Sequence, residues 1–336
     1  MANFKAIKLE KGMYGVSGKN FTKVLEELDP SINYKGTGLD GLDAYQRQLK
    51  RFDIKVAGKF SDTVSKFFSS SDTAALFPEY VSRAVWSGIT DVVSLDNIVA
   101  TTTYINSLDY RSLTSNGSEK DNSLAVVGEG AMIPETYIKT QNNLVRLNKR
   151  GRMLVTSYEA IQNQRLDLFN VTLKQIGAEM ARSQMSDAIN VLINGDGNDN
   201  EAETVSCATS GNLAYSDLLN LWAMFEPYDM NTIIASPQTI LKMAQLPEFQ
   251  NPLTGLNFAG TGQLTTPIGA NLIKSDRVED GVIIGLDKNC AVERVQYGDI
   301  QIEYDKLIDR QLERAAITCI SGFSKVFGDA SKVLLV

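Results

Sequence analysis

The oxygen-rich run "INGDGNDNEAE" (193–203) is where metal chemistry would first be sought, because Asp196, Asn198 and Asn200 alternate as the opening ligands of a calcium loop do. Such a loop also needs glycine at its sixth position and a bidentate glutamate at its twelfth. Counted from Asp196, those positions hold Glu201 and Cys207. The bend and the closing ligand are both missing, and the stretch reads instead as the stop of a helix followed by a turn. "MYGVSGKN" (13–20) approaches a phosphate loop, but Met13 stands where the first glycine belongs and Asn20 where serine or threonine must follow Lys19. Glu26 and Glu27 are adjacent, so a helix would point them to different sides, which does not make an acid/base pair.

The chain contains no histidine. Serine–histidine, cysteine–histidine and histidine-ligated metal chemistries are thereby excluded within it. Cys207, Cys290 and Cys319 lack paired spacing, which supports neither a disulfide framework nor a zinc site. No catalytic, cofactor-binding or metal-binding residue is assigned, and the expectation is a protein that is not an enzyme. A net charge of −7 argues against a dedicated nucleic-acid binder, although residues 1–60 hold 11 Lys/Arg against 7 Asp/Glu.

With no chemistry to position, the elements carry the argument. At 336 residues the chain exceeds the usual single core, and no apolar run approaches the ~20 residues that cross a bilayer. The N-terminus lacks a secretory signal, so cytoplasmic synthesis is expected. Residues 1–75 are polar and turn-rich and read as an extended arm, with one amphipathic helix at 40–52 carrying Leu42, Tyr45, Leu49 and Phe52. "LFPEYVSRAVWSG" (76–88) reads as a helix opening at Pro78, with Val81, Val85 and Trp86 on one side. From 97 to 155 alternating β-branched residues suggest a long hairpin. It holds too little apolar surface for a core and should project onto a neighbour.

Thr156 and Glu159 form a capping-box pattern, from which a long helix should run through Leu166, Phe169, Leu173, Ile176, Met180, Ala188 and Leu192 to stop at Asn194-Gly195. A mixed region over 205–300 follows. In it Ser216 caps a helix burying Leu218, Leu221, Trp222 and Phe225, "NTIIAS" is a core strand, and Ser236-Pro237 opens another helix. The Gly- and Pro-rich stretch 247–269 reads as an irregular surface loop. "ANLIKS", "GVIIGL" and "CAVERV" read as short strands, and the tail adds two strand-like runs.

The order "LFPEYVSRAV", "VGEGAMIPET", "VTSYEAI", "LINGDGN", "NTIIASPQTILKM", "IGANLIKSDRV", "GVIIGLDKNCAVERV" resembles the major capsid proteins of tailed double-stranded DNA bacteriophages, over about 76–336. The resemblance implies an α+β, HK-ninety-seven-like capsid fold. Its parts would be an N-terminal arm (1–75), the end of that arm with a short helix (76–96), an E-loop hairpin (97–155), a P-domain spine helix (156–204), an A-domain (205–300) and P-domain return strands (301–336). It further implies a major head protein that self-assembles as pentamers and hexamers into an icosahedral shell around double-stranded DNA. Scaffolding and portal proteins would be its partners, DNA would lie in non-specific proximity, and assembly would take place in the host cytoplasm with no membrane involved. Glu129, Glu135, Lys149, Arg150 and Arg152 are the candidate intersubunit contacts. A Lys–Asn cross-link found in some relatives is not expected, since no asparagine follows Asn289. An encapsulin-type nanocompartment shell, or another virion structural protein, is the alternative.

Overall fold

The computed structural model describes residues 7–15, 19–91, 95–115, 126–129, 138–157, 163–250, 266 and 268–336. They form two units: the first comprises 1–92, 150–180 and 299–319, and the second 93–149, 181–298 and 320–336.

In the first unit the expected extended arm is folded. Helix α1 (Phe21–Leu28) is capped by the Asn20 side chain, which accepts from the Lys23 amide at 2.9 Å. Helix α2 (Ala44–Arg51) begins at a reciprocal box between Asp43 and Gln46, so the stripe foreseen over 40–52 is real but starts at its cap. Phe21, Leu25, Tyr45 and Leu49 are buried within the same chain. The arm reading failed because it counted α2 as a helix without a cover, whereas α1 and α2 pack on each other.

Helix α3 (Ser71–Asp91) opens seven residues before Pro78, which therefore lies inside it. Ser70 and Thr73 exchange bonds at its start, the Thr73 amide donating to Ser70 Oγ at 3.2 Å and the Ser70 amide to Thr73 Oγ1 at 3.0 Å. A proline in a helix interior removes one rung and crowds the preceding turn. Here the Tyr14 hydroxyl enters the gap: it donates to the Ala75 carbonyl at 2.8 Å and accepts from the Glu79 amide at 3.0 Å, the two groups that would otherwise bond each other.

The long helix α4 (Leu166–Asn194) does not start at the capping-box pattern. Thr156 and Ser157 belong to strand β4 (Asn148–Ser157), and Glu159 lies outside the described residues. Within the first unit α3 and α4 meet backbone to backbone. A Cβ on Gly88 would lie 2.1 Å from the Lys174 carbonyl oxygen, and one on Gly177 2.1 Å from that of Val85. Tyr80 donates to the Leu166 carbonyl at 2.6 Å, and the Phe77 and Phe169 rings stack at 6.1 Å.

The second unit is built on a five-stranded sheet of order β5-β11-β8-β6-β7. Its strands are β5 (Glu203–Ser206), β6 (Thr232–Ala235), β7 (Asn271–Lys274), β8 (Val282–Leu286) and β11 (Ser331–Leu335). The central strands β6 and β8 are buried on both faces, which is why they read as continuous apolar runs. Ile234, Ile284 and Val333 lie in one row and pack with Met185, Ala188, Ile189 and Leu192 of α4. Ile233, Ile283 and Leu334 face the other way, against Leu218 and Leu221 of helix α5 (Tyr215–Ala223), Phe225 in the turn after it and Met243 of helix α6 (Pro237–Ala244). The strand at "NTIIAS" and the Ser236 cap, which accepts from the Thr239 amide at 3.2 Å, match expectation.

Other expectations are corrected. Ser216 lies inside α5, whose first turn is held by the Asp217 carboxylate accepting from the Ala214 amide at 3.0 Å. Trp222 is 51% exposed, because the turn after α5 brings Phe225 into the core in its place. Strand β9 (Val292–Leu307) is 16 residues long rather than short. The last strand, β11, joins β5 and β8 and so completes the sheet of the second unit. Most of the loop expected over 247–269 lies outside the described residues.

A four-stranded sheet of order β1-β9-β10-β4 adds β1 (Thr101–Ile105) and β10 (Leu312–Lys325). β1 is not a hairpin strand. It runs parallel to β9, Thr101 opposite Glu293 and Ile105 opposite Tyr297. The hairpin itself is seen as β2 (Leu113–Ser115) antiparallel to β3 (Ile138–Thr140), in register Leu113 with Thr140.

Candidate assembly site

The projecting hairpin is the element whose sequence demanded a neighbour, and its base is fixed by buried hydrogen bonds within the second unit. On the outgoing side, the Glu293 carboxylate on β9 accepts from three hydroxyls: Tyr110 at 2.8 Å, Thr103 and Ser112. Burial, and then the Glu293 carboxylate beside it, push the Tyr110 hydroxyl above its ordinary range. The two sides are joined where the Gln141 amide donates to the Ser112 carbonyl and the Val145 amide to that of Tyr110, both at 2.9 Å.

On the returning side the anchor is the run that first suggested calcium. Gly195 takes φ +72° and ends α4, as the sequence indicated. Asp196 then works as a hydrogen-bond acceptor rather than a metal ligand. Its carboxylate accepts from Ser324 Oγ at 2.8 Å, the Lys325 amide at 2.9 Å and Asn198 Nδ2 at 2.9 Å. Burial opposes ionisation there, but the bonds from Asn198, Lys325, Ser324 and Asn200 hold the carboxyl below its usual range. Gln141 joins the same group, accepting from Asn198 and Ser324 and donating to the Lys325 carbonyl at 2.8 Å. Lys325 itself is fully buried, donating to the carbonyls of Asn200 at 2.8 Å and Leu192 at 3.4 Å at the end of α4. Burial brings its amine down to about 8, although Asp196 pulls the other way.

Beyond this base, Val126, Val127, Gly128 and Glu129 are exposed. Lys149 and Arg152 on β4 are exposed and Arg150 is half-buried, while Glu135 lies outside the described residues. Among the described residues no ion pair joins Glu129 to Lys149, Arg150 or Arg152 within one chain. Sequence reasoning missed Gln141, Glu293 and Lys325, each of which has a partner more than 100 residues away. Among the described residues no group of acidic or cysteine side chains could hold a metal, and no helix is long and apolar enough to cross a membrane.

The arrangement anchors both sides of the hairpin base to the sheet and to the end of α4. Residues 141–314, just over half of the chain, match a family described as phage capsid protein. No curated protein matches the sequence. Among solved structures, a virus-like particle from Pyrococcus furiosus aligns with TM-score 0.53 at 13% identity, covering 76% of this chain and 98% of that one. The capsid of a native GTA particle aligns at 0.52 and 15% identity, covering 73% and 91%. A structure of Microbacterium phage Oxtober96 aligns at 0.50 and 12% identity, covering 72% and 90%. These likenesses establish the α+β, HK-ninety-seven-like fold, and the family match establishes the role. The chain belongs to the phage capsid protein family and is a structural subunit of an oligomeric virion shell.

Proposed function

We propose that this capsid protein is the major head protein, and that its copies form pentamers and hexamers of a closed icosahedral shell around double-stranded DNA. The observation that carries this reading is the hairpin, anchored at both strands of its base by buried hydrogen bonds and exposed at Val126–Glu129 beyond it. A rigid base transmits force, and an uncovered outer end gains burial on a second copy; repeated over many copies, modest contacts sum to a stable shell. In this reading residues 97–155 act as the E-loop, α4 is the spine of the P-domain, and 205–300 with β11 form the A-domain. Glu129 and Glu135 of one copy meet Lys149, Arg150 and Arg152 of another. Scaffolding and portal proteins would act during assembly in the host cytoplasm, and packaged DNA would touch the shell without sequence preference. The family match favours a phage head over a nanocompartment, since the fold is shared by both in the resemblance that the sequence suggested.

Electron microscopy of the purified protein under assembly conditions tests the proposal. Closed icosahedral shells are the expected result, and uniform small oligomers under every condition tried would overturn it.

A further inference from the structure

Strand β4 ends its sheet: among the described residues it bonds β10 on one side and no strand on the other. It is 10 residues long. Met153 and Val155, two apart and therefore on one face, are 53% and 49% exposed. A long edge with exposed apolar side chains is a template for another strand unless something prevents pairing. The charge along β4 is all positive, since 148–157 carries Lys149, Arg150 and Arg152 and no acidic residue. That charge repels a second β4 and selects an acidic strand.

The chain supplies such a strand. The stretch 124–135, "LAVVGEGAMIPE", contains Glu129 and Glu135, no lysine or arginine, and seven apolar residues. Its described part, Val126–Glu129, is exposed. Antiparallel alignment of Val126 with Val155 sets Gly128 opposite Met153 and Glu129 opposite Arg152. One register thus joins apolar to apolar and acid to base, as directly opposed cross-strand pairs require.

We propose that β4 is extended by strand addition, its free edge receiving Val126–Glu129 of a second copy in that antiparallel register. The inference rests on the reading that the hairpin reaches a neighbour, and adds that the contact is made by backbone hydrogen bonds with side-chain pairs setting the register.

Two experiments on the full-length chain separate the strand from the bare contact. In assembled shells, Val126→Cys combined with Val155→Cys should give intermolecular disulfides on mild oxidation, seen as a ladder on a denaturing gel. Val126→Cys with Leu154→Cys should give none, because Leu154 points to the opposite face. Equal cross-linking at 154 and 155, or none at either, overturns strand addition. Separately, Arg152→Glu should abolish shells from a subunit that remains folded, and adding Glu129→Arg should restore them. Restoration without the alternating disulfide pattern leaves the neighbour contact standing and removes the strand. Loss of both signals, in subunits with unchanged circular dichroism, removes the hairpin reading as well.

Discussion

The N-terminal segment and the hairpin look alike in sequence, since both are polar, rich in turns and short of apolar runs, yet they differ in what covers them. Residues 19–91 are covered by their own chain. Arg47, 0% exposed, donates to Ser31 Oγ and the Leu42 carbonyl at 2.7 Å each, lies 3.4 Å from Asp29 and stacks on the Tyr34 ring at 4.6 Å. Arg83, held by Glu79 of the same helix at 2.9 Å, ties α3 to Asp43 at 2.7 Å and Thr22 at 2.8 Å, and lies over the Tyr45 ring. Among the described hairpin residues, the comparable bonds lie at the base, on Tyr110, Ser112 and Gln141. A segment can be internal while sparse in aliphatic residues, provided that its charged groups are mutually satisfied when they are buried.

The largest effect that would break this comparison comes from deletion. Removing residues 1–60 takes away Phe21, Leu25, Tyr45, Arg47 and the Tyr14 bridge, so the first unit should fail to fold and the protein should be insoluble or protease-sensitive throughout. Removing 118–133 should leave circular dichroism and melting close to the full chain while abolishing shells. A folded product of the first deletion would restore the arm reading.

Next in size is Arg47→Met. It leaves the buried Asp29 carboxylate without its cation, a change that costs about 3–5 kcal/mol in comparable buried pairs. Urea denaturation should show the loss, whereas Glu129→Ala on the hairpin should shift the midpoint little. Gly177→Ala follows, at about 1–3 kcal/mol for overpacking against a backbone that cannot step aside. Gly38→Ala, with nothing within 4 Å of the added carbon, is the control expected to be neutral.

The smallest effect is a pH dependence at the hairpin base. Burial lowers the Lys325 amine from 10.5 to about 8, so in the folded state the charged form is the disfavoured one. Between those values the unfolded chain holds a proton that the folded chain has released, and stability should rise with pH. Lys325→Met should lack that rise when the two proteins are compared by urea denaturation between pH 7.5 and 9.5. Parallel curves would place the lysine in a wetter site than the structure shows.

Local features were legible in the sequence. The stripe from Leu166 to Leu192, the stop at Asn194-Gly195, the β6 strand and the Ser236-Pro237 helix start each depend on neighbours within a few residues. Features set at long range were not. Pro78 looked like a helix start because the hydroxyl that mends the helix sits on Tyr14, more than 60 residues earlier. Asp196 read only as part of the turn that ends a helix because its partners, Ser324 and Lys325, are 128 and 129 residues away. β1 looked like half of a hairpin because its partner in β9 lies far along the chain. Residues were identified correctly as polar and turn-forming, and only their distant partners show whether they belong to the interior.

The close backbone approaches at Gly88, to the Lys174 carbonyl, and at Gly177, to that of Val85, have a consequence for geometry at the scale of the whole particle. Helices separated by side chains can settle at slightly different angles as rotamers change, but two backbones in contact have no rotamers to exchange. Every copy therefore leaves the ribosome with the same angle between α3 and α4, independent of how its surface residues happen to lie. In a closed surface tiled by repeats, angular scatter accumulates from tile to tile and decides whether the last gap can be filled. Two missing methyl groups act here as a jig, keeping curvature uniform before any neighbour is met.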